Sequence, residues 1–338
     1  MWSRSKTADL TEGRAPALRF PAPVSAWPAS HPEGRIPQAQ TASRFRRIPV
    51  YRQKYIFLLP GLLVLIAVIL FPLLFTIRVS FSSWDVYNPG LNNAGGAMYA
   101  RMWDDARYWE ALRRLSVLSI STVLIQYVLG FALALLVWRE IAARRFFRVL
   151  FLVPMMTTPV VMSVIWRTIF HESLGPLNPI LDAIGIGAQP WLSQPGFAFA
   201  AVMVVEIWQW TPFMFLLLLA GLLSLPSEPF LAAKVDGAGP IRTFLSVTFP
   251  MMGAISVGAI LIRAIEASKI METVYVLTSG GPGTSTETVS YYIYIRGMRD
   301  FQIGYSAALS LTYLIIMAVA LTLIAKALMR LMVRGAQA

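Results

Sequence analysis

Long apolar runs separated by short polar segments make up the chain after residue 50. Four of these runs contain no charged residue: Tyr55–Ile77 and Leu115–Val137 with 23 residues each, Val149–Trp166 with 18, and Tyr305–Ala325 with 21. The hydrocarbon core of a bilayer is ~30 Å thick, and a helix of about 20 residues is needed to cross it. These lengths therefore predict membrane-spanning helices.

Two further runs are apolar but contain charges. Phe197–Leu225 is interrupted only by Glu206. Pro250–Leu277 begins apolar and then carries four charged residues at three-residue spacing, namely Arg263, Glu266, Lys269 and Glu272. With both counted, the pattern predicts an all-α membrane protein with six transmembrane helices. An amphipathic helix lying outside the membrane is the alternative for the fifth run.

The composition supports a membrane protein and excludes several kinds of site. The chain is 57% hydrophobic and 14% charged, whereas soluble globular proteins have about 25% charged residues. It has no cysteine and two histidines, so we expect neither a metal site nor a catalytic histidine cluster. Residues 1–50 are rich in Pro, Ala, Ser and Arg without a sustained period, which predicts a disordered tail ahead of a membrane domain at 51–338.

The loop charges predict the orientation of the chain. If the N-terminus is cytoplasmic, the inside segments are 1–54, 138–148, 226–249 and 326–338, and they hold nineteen Lys and Arg residues against eight outside. Cytoplasmic loops are enriched in Lys and Arg, so both termini are predicted to be cytoplasmic. The net charge of +12 then reflects this asymmetry and anionic lipid headgroups, and no nucleic-acid partner is expected.

Residues 226–250, which we call the elbow, are too polar to stay within a membrane yet have the pattern of a folded element. Ser227 can cap a helix and Pro229 suits a first turn. Gly237 is typical of a helix end that turns left-handed, and Pro240 can begin a second helix. The elbow is therefore predicted to be helix, glycine turn, helix on the cytoplasmic face. An amphipathic loop resting on the headgroups is the alternative.

Three segments resemble the permeases of binding-protein-dependent ABC importers. The elbow sequence LAAKVDGAG…FLSVTFP is similar to the Glu-Ala-Ala loop of that family. The segments WQWTPFMFLLLLAGLLSLP (208–226) and YVLTSGGPGTSTETVSYYIY (275–294) are similar to its carbohydrate branch, the type I importers that include the maltose permease. The likeness covers about residues 50–335.

The resemblance implies that the elbow is a coupling helix docking on a separate ATPase. The residues it assigns to this contact are Leu231, Ala232, Ala233, Asp236, Gly237, Ala238, Arg242 and Pro250. Leu231 stands where the family usually has a glutamate, so docking would rely on apolar fit. The implied partners are a second permease, two ATP-binding subunits and an extracytoplasmic solute-binding protein. The chain has no G-x-x-x-x-G-K-[ST] phosphate loop, so we expect ATP to be bound by a partner and this chain to have no cofactor.

The same resemblance, with the chemistry of the side chains, predicts a path for sugar. The candidate path residues are Glu206, Trp208, Gln209, Trp210, Phe213, Glu266, Lys269 and Ile270. Aromatic rings can stack on sugars, and charges at membrane depth are costly and usually face a cavity or a partner. Two alternatives remain for these residues. Charges spaced three apart can pair along one helix face and serve only structure, and tryptophans can anchor at the membrane interface.

The glycine-rich segment Thr278–Thr288 is predicted to be a flexible external loop that touches the binding protein or the substrate. Two other classes of protein remain open. An ion-coupled secondary sugar transporter would need inverted repeats and an ion site, although the acids of the fifth run could serve protons. A membrane enzyme would need a set of catalytic residues. The carboxylates Glu206, Glu266 and Glu272, without a metal site or a suitable histidine, give little support for one.

Overall fold

The fold is helical throughout the part of the chain that the structure describes. A computed structural model describes residues 50–138, 149 and 151–333, and residues 1–59 and 60–338 form two separate units. Across those described ranges the regular elements are all helices, apart from one antiparallel bridge between Ser82 and Asn93. The predicted all-α class is confirmed. The predicted tail, residues 1–50, and the predicted cytoplasmic segment 138–148 lie outside the described residues except for Val50 and Trp138.

The helices are numbered here in chain order. They are α1 Val50–Ser80, α2 Ala97–Trp103, α3 Ala106–Trp138, α4 Pro159–Ile169, α5 Leu177–Ala183, α6 Pro195–Leu223, α7 Glu228–Val235, α8 Pro240–Thr243, α9 Phe249–Met251, α10 Gly253–Ala267, α11 Glu272–Leu277, α12 Val289–Tyr294 and α13 Ile303–Leu328. Short π-helical segments lie at Phe244–Thr248, Ile295–Arg299 and Met329–Val333.

Four helices in the described ranges are long and apolar enough to cross a membrane. They cover Phe57–Ser80, Ala106–Trp138, Pro195–Leu223 and Ile303–Met332, and they coincide with the first, second, fourth and sixth predicted spans. From Phe57 to Ile77 the apolar side chains of α1 are exposed all around the helix, with Leu63, Leu65 and Ile69 more than half exposed. A helix that is apolar on every face is typical of a membrane span.

The third predicted span, Val149–Trp166, is not one continuous helix. It contains a 3-10 turn at Pro154–Met156, and α4 begins only at Pro159. Proline lacks the N–H that continues a helix and is favoured in a first turn, so each of these prolines starts a new element. With 11 residues, α4 is about 16 Å long, which is shorter than the bilayer core.

The fifth predicted span, Pro250–Leu277, is broken twice. The segment Pro240–Met251 meets α10 at an angle of 65°, and α10 ends at Ala267, before α11 begins. A Cβ placed on Gly253, at the first break, would lie 2.3 Å from the carbonyl oxygen of Met332. Glycine is therefore required where the chain turns against the end of α13. Because the third and fifth segments are interrupted, the count of six spans stays a prediction.

The core lies mainly between α3 and α6. The two helices approach closely at Gly130, where an added Cβ would lie 2.7 Å from the Cβ of Met214. Small residues let membrane helices approach this closely. Leu118, Val205 and Leu218 are fully buried along the contact. The close packing of α3 and α6 brings Gln126 on α3 next to Glu206 on α6.

Candidate transport path and coupling elbow

A buried ion pair joins α6 to α10. The Nη2 of Arg263 donates to the Oε2 of Glu206 at 3.0 Å, and both side chains are almost fully buried. The Oγ1 of Thr273 on α11 donates to the other carboxylate oxygen at 2.6 Å. Both oxygens of Glu206 are thus hydrogen-bonded, as a buried carboxylate requires.

Gln126 on α3 completes this cluster. Its Oε1 accepts a hydrogen bond from the Nε of Arg263 at 2.8 Å, and its Nε2 donates to the backbone carbonyl of Glu206 at 2.8 Å. Side chains from four helices therefore meet in one hydrogen-bonded unit. We call Gln126, Glu206, Arg263 and Thr273 the polar clamp.

The predicted ladder of charges is only partly an i,i+3 ladder. Lys269 does pair with Glu266, at 2.9 Å between Nζ and Oε1, and this pair is largely exposed. Arg263 instead pairs with Glu206, across two helices. Burial explains the difference for Arg263, because its side chain points into the core toward Glu206 while Glu266 is exposed. The break after Ala267 separates Glu272 from the ladder, since Glu272 begins a separate helix, α11.

The other predicted path residues differ in exposure. Trp208 is 38% exposed and packs edge-on against Trp166 at 5.7 Å. Trp210 and Phe213 are half-buried and lie edge to face, with ring centroids 6.2 Å apart. Ile270 is 5% exposed and belongs to the hydrophobic core.

Gln209 is buried and only half satisfied. Its Nε2 donates to the carbonyl of Thr157 at 3.0 Å, which fixes the orientation of the amide. The Oε1 of Gln209 is buried and has no hydrogen-bond partner among the described residues. A buried acceptor without a partner costs about 1–3 kcal/mol, so this atom is suited to a donor from outside the chain.

A second polar cluster ties the start of α3 to α12 and α13. The Oδ2 of Asp105 accepts from the hydroxyls of Tyr292 and Tyr305 at 2.5 Å each, and its Oδ1 accepts from the backbone N–H groups of Arg107 and Tyr108. Burial opposes ionisation of Asp105, but these hydrogen bonds outweigh it and lower the pKa of its carboxyl. Burial and the hydrogen bond to Asp105 raise the pKa of Tyr292 to about 12.

The glycine-rich segment Thr278–Thr288 is fastened rather than free, contrary to the prediction of a flexible loop. Glu287 is 2% exposed and forms a two-pronged ion pair with Arg107 on α3, with distances of 2.8 and 2.6 Å. The hydroxyls of Thr278 and Thr286 lie 2.7 Å apart, and that of Thr288 donates to the carbonyl of Ile270. These bonds hold the segment against the helices, and its contact with a binding protein stays a prediction.

The elbow has the predicted order of helix, glycine turn and helix. α7 ends with two hydrogen bonds, from the N–H of Ala238 to the carbonyl of Ala233 at 2.9 Å and from the N–H of Gly237 to that of Lys234 at 3.2 Å. Gly237 has a φ of +71°. This is the Schellman end of a helix, in which glycine takes the left-handed position. Ser227 occupies the N-cap position, but its side chain makes no capping hydrogen bond, so that part of the prediction is wrong.

The elbow presents apolar side chains outward. Leu231 and Val235 are four residues apart on α7, hence on one face, and are 61% and 88% exposed. Ile241 and Leu245 repeat this spacing after the turn and are also exposed. The other residues predicted to contact the ATPase divide by exposure. Ala232, Asp236, Gly237 and Arg242 are exposed, Ala238 and Pro250 are half-buried, and Ala233 is buried.

Aromatic contacts hold the inner side of the elbow against α3. Phe230 packs on Trp138 at 5.4 Å, and Phe244 packs edge-on against Phe131 at 5.6 Å. Between these two contacts lies a cavity of about 550 Å³, lined by the end of α3 and by elbow residues that include Lys234 and Ile241. Movement of the elbow would therefore be passed directly to α3.

Comparison with known proteins gives the family. Residues 126–337, well over half of the chain and including the polar clamp and the elbow, match the family described as the inner membrane component of binding-protein-dependent transport systems. The chain belongs to this family. It is therefore a multi-pass protein of the inner membrane, and the resemblance inferred from its motifs is confirmed.

Individual relatives of this chain support the same family. The probable ABC transporter permease protein y4oQ of Sinorhizobium fredii is 32% identical over 83% of this chain and 91% of its own length. The trehalose/maltose transport system permease protein MalF of Thermococcus litoralis is 30% identical over 78% of this chain and 89% of its own length.

A solved structure shares the fold of this inner membrane component. It is a bacterial alginate ABC transporter in complex with an alginate pentasaccharide-bound periplasmic protein, with a TM-score of 0.72 and 20% identity over 82% of this chain and 94% of that one. The importer permease fold predicted from the sequence is thus confirmed.

Sequence reasoning missed two members of the polar clamp, Gln126 and Thr273. One signal was available for Gln126, because it is the one amide side chain between Leu115 and Val137, in a span without charged residues. Strongly polar side chains inside a span usually mark a partner on another helix. Thr273 carried no comparable signal, since threonine is common in membrane helices and satisfies itself on its own backbone.

Proposed function

We propose that this chain is one of the two permease subunits of an ATP-driven, binding-protein-dependent sugar importer. It would form half of the translocation path with a second permease. Two separate ATP-binding subunits would drive it, and an extracytoplasmic binding protein would deliver the solute. The chain itself would need no cofactor and perform no catalysis. Support for a sugar comes from the trehalose/maltose permease, which is 30% identical.

The observation that carries this proposal is the form of the elbow. Its outer face shows Leu231 and Val235 to solvent, while its inner face is packed on α3. An exposed apolar face on a short, well-ordered helix is typical of a contact with another protein. We place the elbow and both termini on the cytoplasmic side, where the ATPase would be.

The test is reconstitution with a sister permease, an ATPase and a binding protein in proteoliposomes. We expect the sugar-loaded binding protein to stimulate ATP hydrolysis and sugar uptake together. Uptake driven by a proton gradient without any ATPase would instead support an ion-coupled secondary transporter. The same vesicles, treated with a protease from outside and then opened, report which side the elbow occupies.

A charge on the outer face of the elbow should uncouple the complex. Val235→Asp is expected to reduce binding-protein-stimulated ATP hydrolysis and uptake by about tenfold, because an unpaired charge would be buried in an apolar contact. Val235→Ala keeps an apolar face and is the matched control. Val235 is 88% exposed, so the aspartate should not affect folding of the chain itself. Co-purification of the ATPase with each variant measures the contact directly, and equal recovery with Val235→Asp would contradict it.

For the sugar path, we propose contacts from Trp208, Gln209, Trp210 and Phe213 on α6 and from the exposed pair Glu266 and Lys269. Sugar hydroxyls can donate to the exposed carboxylate of Glu266. The unpaired oxygen of Gln209 is buried in this structure, so it would accept from a sugar only in a state of the path that opens beside it. Glu206 and Ile270 are buried and would form the wall behind these groups.

Alanine substitutions at Trp210 and Glu266 test this path. Each is expected to lower sugar uptake by about three- to tenfold and basal ATP hydrolysis less. Trp210→Ala removes an aromatic contact of about 0.5–1.5 kcal/mol, and Glu266→Ala removes an acceptor for sugar hydroxyls. Uptake of radiolabelled sugar and phosphate release are measured in the same vesicles. Val204→Ala, at a partly exposed position on the same helix, serves as the control. Normal transport by both variants would show that the path lies elsewhere.

A further inference from the structure

Arg263 makes one contact that its burial does not require. It is the largest fully buried side chain in the described part of the chain. Its charge is matched by Glu206, and its Nε proton is bound by Gln126. In addition, the guanidinium carbon lies 4.9 Å from the centre of the Trp210 ring. The ion pair does not need this cation–π contact, which joins the guanidinium to the indole.

The geometry of α6 makes this arrangement possible. Glu206 and Trp210 are four residues apart and so project from one face of the helix. Arg263 approaches that face from α10, with the edge of the guanidinium directed to Glu206 and Gln126 and its carbon over Trp210. Trp210 remains half-exposed. Arg263 therefore covers one part of the indole, and another part is open to a ligand.

We propose that Arg263 is a positioning residue, which orients the indole of Trp210 so that the ring can stack on the sugar in the translocation path. The inference rests on the proposed function. Arg263 is buried and cannot itself contact the sugar. By this inference it nevertheless affects sugar binding, through the position of Trp210. Lysine cannot replace Arg263, because an ammonium group has no plane with which to bind Gln126 and Glu206 along its edge while covering the ring with its face.

The experiment is a double-mutant cycle in the reconstituted complex, with Arg263→Lys, Trp210→Ala and the double variant. The measured quantity is the number of sugar molecules delivered per ATP hydrolysed at a saturating concentration of sugar-loaded binding protein. Arg263→Lys and Trp210→Ala should each lower this ratio by about three- to tenfold. The double variant should equal Trp210→Ala, since Arg263 acts through the ring.

Thr273→Val is the matched control. Valine has nearly the same shape as threonine and removes one hydrogen bond to Glu206. In the described part of the chain Thr273 forms no hydrogen bond with Trp210. It should lower the melting temperature of the purified complex and leave the ratio unchanged. If Arg263→Lys does not reach the membrane, Gln126→Met loosens the same guanidinium at its Nε and is used in the cycle instead.

Three outcomes would overturn the inference. They are an unchanged ratio in Arg263→Lys, additive losses in the double variant, and a loss in Thr273→Val as large as that in Arg263→Lys. A merely structural role predicts the last of these, with the ratio following the melting temperature across all variants. Failure of the wild-type complex to couple sugar uptake to ATP hydrolysis is a different result, because it would contradict the proposed function before Arg263 is tested.

Discussion

Gly237→Pro is expected to abolish sugar uptake while the chain remains in the membrane. Gly237 has a φ of +71°, whereas the ring of proline fixes φ near −65°. Proline also removes the N–H that donates to the carbonyl of Lys234 at 3.2 Å. The Schellman turn between α7 and α8 therefore cannot form, and the apolar face of α7 loses its position relative to Ile241 and Leu245. Uptake and ATP hydrolysis stimulated by the binding protein are measured in reconstituted vesicles.

Two other substitutions at Gly237 distinguish the effect of backbone conformation from the effect of side-chain size. Gly237→Asn should keep most of the activity, because asparagine tolerates the left-handed region. A Cβ at Gly237 would meet nothing within 4 Å, so there is space for a larger side chain. Gly237→Leu should therefore act only through its strained φ, at a cost of about 1 kcal/mol, and lose part of the activity. Full uptake by Gly237→Pro would show that the elbow does not couple the ATPase to the membrane helices.

The uninterrupted helices were predictable because each carries its own signal. α1, α3 and α13 come from long uncharged runs, for which an apolar solvent leaves the helix as the only way to satisfy the backbone. The elbow was predictable for a similar reason, since Gly237 and Pro240 act on the local backbone. In both cases the cause lies within about ten residues of its effect.

The breaks and the polar clamp depend on contacts between distant residues. The need for glycine at position 253 comes from its close contact with Met332, which lies 79 positions further along the chain. The spacing of Glu266 and Lys269 correctly predicted a local ion pair. The same rule failed for Arg263, because a charge buried between helices needs a partner at the same depth, and Glu206 on α6 supplies one.

Removal of one partner of this buried pair should be among the most destabilising changes available in the chain. Glu206→Leu leaves the guanidinium of Arg263 buried without a counter-charge, which typically costs about 3–5 kcal/mol. It also leaves the hydroxyl of Thr273 without its acceptor. We expect a strongly reduced amount of folded protein in the membrane and a lower melting temperature in detergent, measured by size-exclusion chromatography after heating.

The double variant Glu206→Leu with Arg263→Met is the decisive control. A buried ion pair replaced by apolar side chains of similar size is often neutral or stabilising, so the double variant should recover most of the melting temperature that Glu206→Leu loses. It should not recover sugar delivery per ATP, because the Trp210 ring has lost the guanidinium that covers it. Equal melting temperatures for the wild type and Glu206→Leu would mean that Arg263 finds water or another acceptor. The ion pair between Glu206 and Arg263 would then not be what stabilises the packing of α6 against α10.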